Sequence, residues 1–564
     1  MSGTGTTANP RPATAARGAD VSDIAVGIDV GGTNTDAVAL AAGGAVLART
    51  KAVTTPDVIG GIRAALSRVL ADLGRDRSAV SRVMLGTTHA TNAIARRRDL
   101  GRVAVIRLGA PAATAFPPLL GWPADLRETI LAGVLLAGGG HLVDGHPIAP
   151  LDRDAVRRFL DALHRAGDKT GARGGNAAGG NGSAGDGSGA GGVRSGADAV
   201  AVSGIFSPSF PDQEFEVEAL VREHLGDLPV SLSHQIGTIG LLDRENATVL
   251  NAALHGVARD VTSALATVIA EAGIGATAYF AQNDGTLMAV EQAARFPVLT
   301  IGSGPANSIR GAAHLSGAEH AVVVDVGGTT SDFGALAGGG PRESTMPREV
   351  GGVGTNFRMP DVLSLGLGGG TVVDPGTGLL TGDSVGYRIA ERALLFGGGT
   401  PTLTDAAAAR GAAIAGRRLP DLDPPLREGL SRALAVAYDR IESAVERMSL
   451  GRTGLPLVVV GGAGFLVPDR VSGASEVIRP GHGDVANAVG AAIALAGGRA
   501  DEICLFTERT AGVERASRTA IEKAIQAGAD PARVEVVDVS EIPISYSVHA
   551  TVRISVKAAG PLAP

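Results

Sequence analysis

Short apolar runs broken by glycine recur along the chain, and two of them carry almost the same phrase. GIDVGGTNTDAV, Gly27 to Val38, and VVVDVGGTTSDF, Val322 to Phe333, share Asp-Val-Gly-Gly-Thr. Each closes on an aspartate seven positions after the first, Asp29 with Asp36 and Asp325 with Asp332. After the first phrase, DAVALAAGGAVLART follows the pattern strand, glycine turn, strand, and helical periodicity begins only at about Asp57 with PDVIGGIRAALSRVLADLG. After the second, DFGALAGGGPRES again turns on glycines and starts back. Each phrase is therefore predicted to be the tip between two antiparallel strands, in a unit of three strands and a helix used twice. A Walker A loop or a dinucleotide-binding loop runs from a strand straight into a helix, and neither phrase does so.

The remaining pattern organises the chain around this duplication. Residues 1–20 lack periodicity and form a tail, and the run GARGGNAAGGNGSAGDGSGAGG within 168–196 is a linker by composition. It interrupts a domain, because ADAVAVSGIFSP after it is a buried strand that needs a sheet to join. LPLVVVGGAGFLVP, Leu455 to Pro468, is a buried strand ending on Gly461, Gly462 and Gly464. From Asp501 on, EICLF, ERASRTAIEKAIQAG, VEVVDV and the alternating YSVHATVRISV give strand, helix, strand, strand. The expected architecture is α/β: lobes 21–230 and 231–500 on mixed sheets with a cleft between them, and a small α+β unit over 501–564.

Composition narrows the classes. At 564 residues more than one domain is expected, and 45% hydrophobic with 19% charged residues is a globular balance. The net charge of −7, with no basic cluster larger than Arg96 to Arg98, argues against a nucleic-acid partner. A single cysteine, Cys504, excludes an intrachain disulfide and a cysteine-built zinc site. No apolar run reaches the roughly 18 residues of a membrane span and no signal-like segment opens the chain, so a cytoplasmic protein is expected.

The paired loops suggest a chemistry. Gly31, Gly32, Gly327 and Gly328 let the backbone come close to a ligand and turn N–H groups toward it, while Thr33, Thr329 and Thr330 add hydroxyl donors for phosphate oxygens. Asp29 and Asp325, followed by Asp36 and Asp332, would repel phosphate unless a cation lies between, and Mg²⁺ held through water and carboxylate fits. Gly461, Gly462 and Gly464 would leave room for adenine and ribose. Two such loops facing across a cleft would hold a nucleotide from both lobes.

Paired DxGGT loops with a late VVVGGAG resemble the actin, Hsp70 and sugar-kinase superfamily. From about Ile24 to Gly498 the chain is similar to the hydantoinase A and 5-oxoprolinase family, through GTTHATNAIARR from Gly86, SHQIGTIGLLDRENATVLNAAL from Ser233, AQNDGTL from Ala281, IGSGPANSIRGA from Ile301, GGVGTNF from Gly351 and LGLGGGT from Leu365. The resemblance implies ATP-dependent opening of a cyclic amide or imide, by phosphorylation of the amide oxygen. Amide carbonyls are poor electrophiles, and phosphorylation turns the oxygen into a leaving group, a task for positioning and charge neutralisation. Consistently, there is no GxSxG elbow and no HExxH pair.

Candidate substrate contacts are His89 and Asn92, at the end of a strand, and Gly368, Gly369 and Gly370 with Thr371. Asp243, Arg244 and Glu245 are expected just before a long helix, either as site residues or as a solvated first turn, with Asn246 as its cap. Water could be activated by His89. Larger family members extend further at the C-terminus, and in many a separate subunit completes the reaction, so a second, different subunit is expected, with self-association also open. Two other readings stand beside the hydrolase: a subunit of an ATP-dependent ketone carboxylase, and a regulatory or filament-forming ATPase.

Overall fold

The computed structural model describes residues 23–32, 34–53, 58–171, 193, 196–344, 348–544 and 550–563. Thr33, the tail 1–20 and nearly all of the glycine-rich run lie outside the described residues.

The first repeat is β1 (Ile24–Val30), β2 (Asn34–Ala41) and β3 (Val46–Val53), a meander followed by α1 (Val58–Leu73). Next come β4 (Val80–Thr87), parallel to β1, and α2 (His89–Arg96). β1 is apolar nearly throughout because both its faces are covered. Ile24, Val26 and Ile28 pack with Ile62, Leu66 and Val69 of α1, and the opposite face, carrying Gly27 and Asp29, meets another helix described below.

A separate four-stranded parallel sheet follows. Its parts are β5 (Val103–Ala110), α3 (Ala124–Ile130), β6 (Leu131–Gly138), α4 (Arg153–Gly171), β7 (Ala199–Gly204), α5 (Asp212–Leu225) and β8 (Val230–Leu232). The strand order is β6-β5-β7-β8. α3 covers one face through Leu126 and Ile130, and α4 and α5 cover the other through Phe159, Leu160 and Val217. β7 supplies the strand after the glycine-rich run and sits in mid-sheet, so that run is an excursion from within a domain.

The chain then returns to the first sheet through α6 (Ser233–Ile236), α7 (Leu241–Ala253), α8 (His255–Ala272), β9 (Thr277–Ala281), β10 (Leu287–Ala289) and α9 (Val290–Arg295). α10 (Ser303–Ser316) leads into the second repeat, β11 (Ala321–Val326) and β12 (Ser331–Ala337). Here the duplication is incomplete. The third strand, β13 (Gly340–Pro341), is two residues long, and an excursion intervenes before the covering helix. That excursion contains β14 (Arg348–Val350), β15 (Val353–Thr355), β16 (Val362–Leu365), β17 (Thr371–Val373), β18 (Leu380–Ser384), α11 (Ile389–Arg392) and α12 (Leu403–Ala409). The covering helix is α13 (Pro424–Ser449), capped by Asp423, and it packs on Val322, Val324 and Val326 as α1 packs on β1.

β19 (Leu457–Val460) and β20 (Val477–Ile478) complete the second sheet, in the order β13-β12-β11-β19-β20 with β16 beside β12. α14 (Ala486–Ala492), β21 (Ala496–Leu505), α15 (Arg509–Gln526), β22 (Glu535–Ile544) and β23 (Thr551–Gly560) end the chain. These last strands do not form an appended unit. The first sheet runs β22-β23-β21-β10-β9-β4-β1-β2-β3, so it draws strands from three distant parts of the chain. The sheets therefore do not divide at 230, nor does a domain begin at 501. Parallel pairing of β10 with β21 continues the sheet across what sequence order presents as a boundary.

α10 and α14 join the two repeats. A Cβ on Gly490 of α14 would lie 1.9 Å from the Asn307 carbonyl oxygen of α10, and one on Gly27 of β1 would lie 2.0 Å from that of Ala488. Only glycine permits such approach. Because side chains alternate along a strand, Asp29 shares the α14 face of β1, and Asp325 shares the face of β11 on which Val323 meets Ile309 and Ala312 of α10. The crossing of these helices thus turns both loops toward one place.

Candidate functional site

Both loop tips close with the same bond. Gly31 N–H donates to the Asn34 carbonyl at 3.0 Å, and Gly327 N–H to that of Thr330 at 2.9 Å. In register, Asp29 stands opposite Asp36, and Asp325 opposite Asp332. Opposed like charges on one face are unfavourable without compensation. In the first hairpin compensation comes from Lys51, the next cross-strand neighbour, with Nζ 2.7 Å from Asp36 Oδ1. Asn487 of α14 adds hydrogen bonds from Nδ2 to Asp29 Oδ2 at 2.9 Å and Asp36 Oδ2 at 3.1 Å. In the second hairpin Ser308 of α10 donates to Asp325 Oδ2 at 2.5 Å.

The compensation is partial. Burial, then repulsion from Asp36 and Asp325, pushes Asp29 up to about 7 despite Asn307 and Asn487. Burial and Asp325 push Asp332 to about 6, and burial also raises Asp36 and Asp325. Asp325 acts on carboxylates of both hairpins, so the two loops form one electrostatic site. Asn307 lies against Asp29, yet Asp29 Oδ1 and both amide atoms of Asn307 are buried without a partner in hydrogen-bonding geometry. A buried carboxylate cluster with spare oxygens favours a hard cation. Among the described residues no group of three or more His, Cys, Asp or Glu forms a direct metal cage. That donor set suits Mg²⁺, which keeps several waters and takes only one or two carboxylates.

The third glycine element abuts this cluster. Gly461 has φ +88°, and a Cβ there would stand 2.3 Å from Asp325 Oδ1. The Ala463 N–H donates to the Val326 carbonyl, which seats the motif on the end of β11. Gly461, Gly462 and Gly464 line an open hollow of about 230 Å³ with Phe465, Arg479 and His482. Across it, Lys51 Nζ lies 3.9 Å from where a Gly462 Cβ would be, and Arg49 pairs with Asp484. Thr329 and Thr330 are exposed at the second tip.

The other candidates fare differently. Gly368, Gly369 and Gly370 are braces for the second loop: their N–H groups donate to Thr371 Oγ1 and to the carbonyls of Gly327 and Gly328, at 2.8, 3.0 and 2.7 Å, which leaves none for a ligand. A Cβ on Gly368 would fall 2.5 Å from Thr329 N. His89 is the first residue of α2, with Nδ1 2.5 Å from Thr87 Oγ1. It lines a small apolar cavity of about 20 Å³ with Val257, Val261 and Phe280, and burial, aided by Arg96, lowers its pKa. That environment suits a helix-start histidine. Asn92 donates to Thr88 Oγ1 at 3.2 Å. Asp243, Arg244 and Glu245 lie inside α7, and Asn246 is no cap: it accepts from Trp122 Nε1 and donates to the Gly354 carbonyl. Arg244 and Glu245 are 2% and 1% exposed, the opposite of a solvated turn.

Sequence reading missed Lys51, Asn307, Ser308 and Asn487. Lys51 was within reach, since the glycine turn at Gly43 and Gly44 sets the β2–β3 register. Asn487 was not, because it meets Asp29 across 458 residues of sequence.

Residues 25–172 match the hydantoinase/oxoprolinase N-terminal region, and residues 244–420 match hydantoinase/oxoprolinase. The chain is 28% identical over 415 residues to caprolactamase subunit alpha of Pseudomonas jessenii, covering 68% of this chain and 54% of that protein. It is 30% identical over 224 residues to acetophenone carboxylase gamma subunit of Aromatoleum aromaticum, covering 37% and 30%. The chain thus spans about half the length, or less, of these curated relatives. In fold it is similar to the ATP-dependent caprolactamase from Pseudomonas jessenii (TM-score 0.69, 20% identity, 95% of this chain and 88% of that one). It is also similar to nucleotide-free acetone carboxylase (TM-score 0.64, 17% identity, 96% and 88%). With both family regions present in order and together covering more than half of its length, the chain belongs to the hydantoinase/oxoprolinase family.

Proposed function

We propose that this chain activates a cyclic amide by phosphorylating its carbonyl oxygen with ATP, as the nucleotide-using part of a ring-opening hydrolase. The observation that carries the reading is the convergence of both aspartate loops on one buried carboxylate cluster beside a glycine-lined hollow. Gly32 on one side, and Gly328, Thr329 and Thr330 on the other, would offer N–H and hydroxyl groups to phosphate oxygens. Asp36 and Asp332 stand behind them, and the hollow at Gly461, Gly462 and Gly464 takes adenosine. Asp29 and Asp325 would hold Mg²⁺ through water, and the ion would neutralise charge on the transferring phosphoryl group.

The choice of substrate rests on the relatives. Caprolactamase points to a lactam and the family name to a hydantoin or 5-oxoproline. A second reading, phosphorylation of a ketone by a carboxylase subunit, is favoured by the match to acetophenone carboxylase gamma subunit. Both relatives are named as subunits, which supports a second, different subunit for this chain. Among the described residues no helix is long and apolar enough to cross a membrane, and we place the protein in the cytoplasm. ATP consumption by the full chain against ε-caprolactam, hydantoin, 5-oxoproline, acetone and acetophenone, with and without bicarbonate, separates the readings. Stimulation by the cyclic amides alone is expected. Stimulation only by ketones with bicarbonate establishes the carboxylase, and hydrolysis indifferent to every compound rejects both. Ring opening matched to ATP by the chain alone would remove the need for a partner.

A further inference from the structure

The four-stranded sheet has a reversal of strand order of its own. From β5 the chain goes to β6 on one side, then crosses to β7 on the other, so the order reverses between β5 and β7. In parallel α/β sheets, ligands bind beyond the carboxyl ends of the strands at such a reversal. At this end lie side chains that the nucleotide site does not use.

Glu214, wholly buried, accepts from the Gly204 N–H at 2.9 Å, Ser233 Oγ at 2.6 Å, the His234 N–H at 3.2 Å and His234 Nδ1 at 2.7 Å. Burial works against its charge, but the hydrogen bonds and charge of His234, with Ser233 and Ser207, hold it below the usual carboxylate range. A carboxylate can only accept, so Nδ1 carries a proton, and in the neutral ring the lone pair falls on Nε2. Nε2 makes no hydrogen bond with any described residue, and the His234 side chain is 12% exposed, edge-on to Phe215. The surrounding charge closes without it. Arg107 pairs with Glu245 through Nε and Nη2 at 2.6 and 2.5 Å, and Arg244 offsets Glu214 while its Nε donates to Ser233 Oγ at 3.0 Å. Two guanidinium groups thus stand against two carboxylates around the imidazole.

We propose that His234, oriented by Glu214, is the general base of the ring-opening step, in a centre separate from the phosphate loops. The step rests on the reading above, with ATP as phosphoryl donor. A water oxygen bonds to the carbon of the O-phosphorylated cyclic amide, and both its protons reach the ring nitrogen by way of Nε2. The C–N bond breaks with its electron pair on nitrogen and leaves an acyl phosphate. A second water then replaces phosphate and gives the carboxylate. Glu214 is a positioning residue here, since it touches only the imidazole and its neighbours.

Two measurements on the full chain, with any co-purifying subunit, test this. In the first, His234→Gln is compared with the unchanged protein for binding of a fluorescent ATP analogue, ATP cleavage and ring-opened ε-caprolactam or 5-oxoproline. Unchanged binding and continued cleavage are expected, with product per ATP lower by about 10²- to 10⁴-fold, the usual range for a general base. His234→Ala should recover part of its coupling with added imidazole, which a packing role would not allow. Equal product per ATP in His234→Gln and the unchanged protein overturns the proposal, as does parallel loss of ATP binding and product. The second needs no substrate: carbethoxylation of the ligand-free chain by diethyl pyrocarbonate, located by peptide mass. His234 should react at least as fast as the exposed His146, and more slowly in Glu214→Gln. That result without any amide-dependent ATP use would reject the lactam reading and keep the base, whereas a sluggish His234 in the unchanged chain rejects the base itself.

Discussion

Asp29 and Asp325 occupy equivalent positions in two hairpins, yet their surroundings differ in kind. Asp29 is held by an asparagine from α14 and repelled by Asp36, whereas Asp325 is held by a serine from α10 and occupies the space that a Gly461 side chain would need. Replacing either with Asn keeps shape and removes charge. A metal contribution of several kcal/mol, at about 1.4 kcal/mol per tenfold, corresponds to a fall in Mg²⁺-dependent ATP turnover of roughly 10²- to 10³-fold. The fold should survive, because a buried charge that its neighbours disfavour is being removed. Thermal melting together with turnover across a Mg²⁺ titration checks both halves, and near-normal turnover at limiting Mg²⁺ would reject the metal assignment. At Gly461, alanine would add strain at φ +88° and a methyl against Asp325 Oδ1. ATP binding by Gly461→Ala, read by calorimetry, should drop by at least tenfold while Gly462→Ala, whose methyl would meet Lys51 at an ordinary contact distance, stays within about threefold.

At the scale of elements, α10 and α14 decide whether the loops face each other. Gly490→Ala should be stabilising by helix propensity, by about 1 kcal/mol, but the added methyl would sit 1.9 Å from the Asn307 carbonyl oxygen. Overpacking of about 1–3 kcal/mol outweighs propensity. The urea midpoint should therefore fall, and ATP affinity with it, because Asn487 and Asn307 move together with the helices. An unchanged midpoint would mean that the crossing is looser than these distances imply. The Arg107–Glu245 pair poses a different question, since both groups are essentially unexposed. Arg107→Met alone leaves a buried carboxylate without its partner, at a cost of about 3–5 kcal/mol, while Arg107→Met with Glu245→Leu should recover most of it. A double variant no better than the single one would show that Ser203 and the Leu119 N–H, which also bond Glu245, are the partners that matter.

Over the whole molecule, one charged network fastens the last strands to the rest. Lys557 of β23 lies 2.8 Å from Asp284 and 3.1 Å from Glu343, and Arg499 of β21 bonds Glu343 at 2.8 Å. Burial would raise the Asp284 pKa, but Lys557 and Arg499 hold it well below the usual range. A depressed folded pKa contributes stability above the unfolded value near 3.8, and that contribution is lost as pH falls below it. Acid unfolding should accordingly begin below about pH 4. Asp284→Asn should lower the melting temperature at pH 7 and flatten its fall between pH 4 and pH 2. Parallel melting curves for the two proteins over that range would contradict the assignment.

The local units were legible because period and turn chemistry are local. The valine run before Asp325, the glycine turn after Asp36 and the 3.6-residue periodicity of α1 each act within a dozen residues. They determined both hairpins, the geometry of their tips and the strand character of β7. What tertiary structure decided was everything that depends on which strands become neighbours. Sequence order placed a boundary at 230 and an appended unit after 501, but β9, β10, β21 and β23 find their partners in one sheet with β1 and β4. Likewise Arg244 and Glu245 form an ordinary polar stretch in sequence, and only the closing of α7 over β5 and β7 makes them buried counter-charges. Asn487 joins Asp29 and Asp36 because α14 must pack on the face of β1 that Gly27 leaves open. Hydrophobic alternation states that a face needs covering, while the identity of the cover, and so of the residues it brings to the site, is set by the packing of the complete chain.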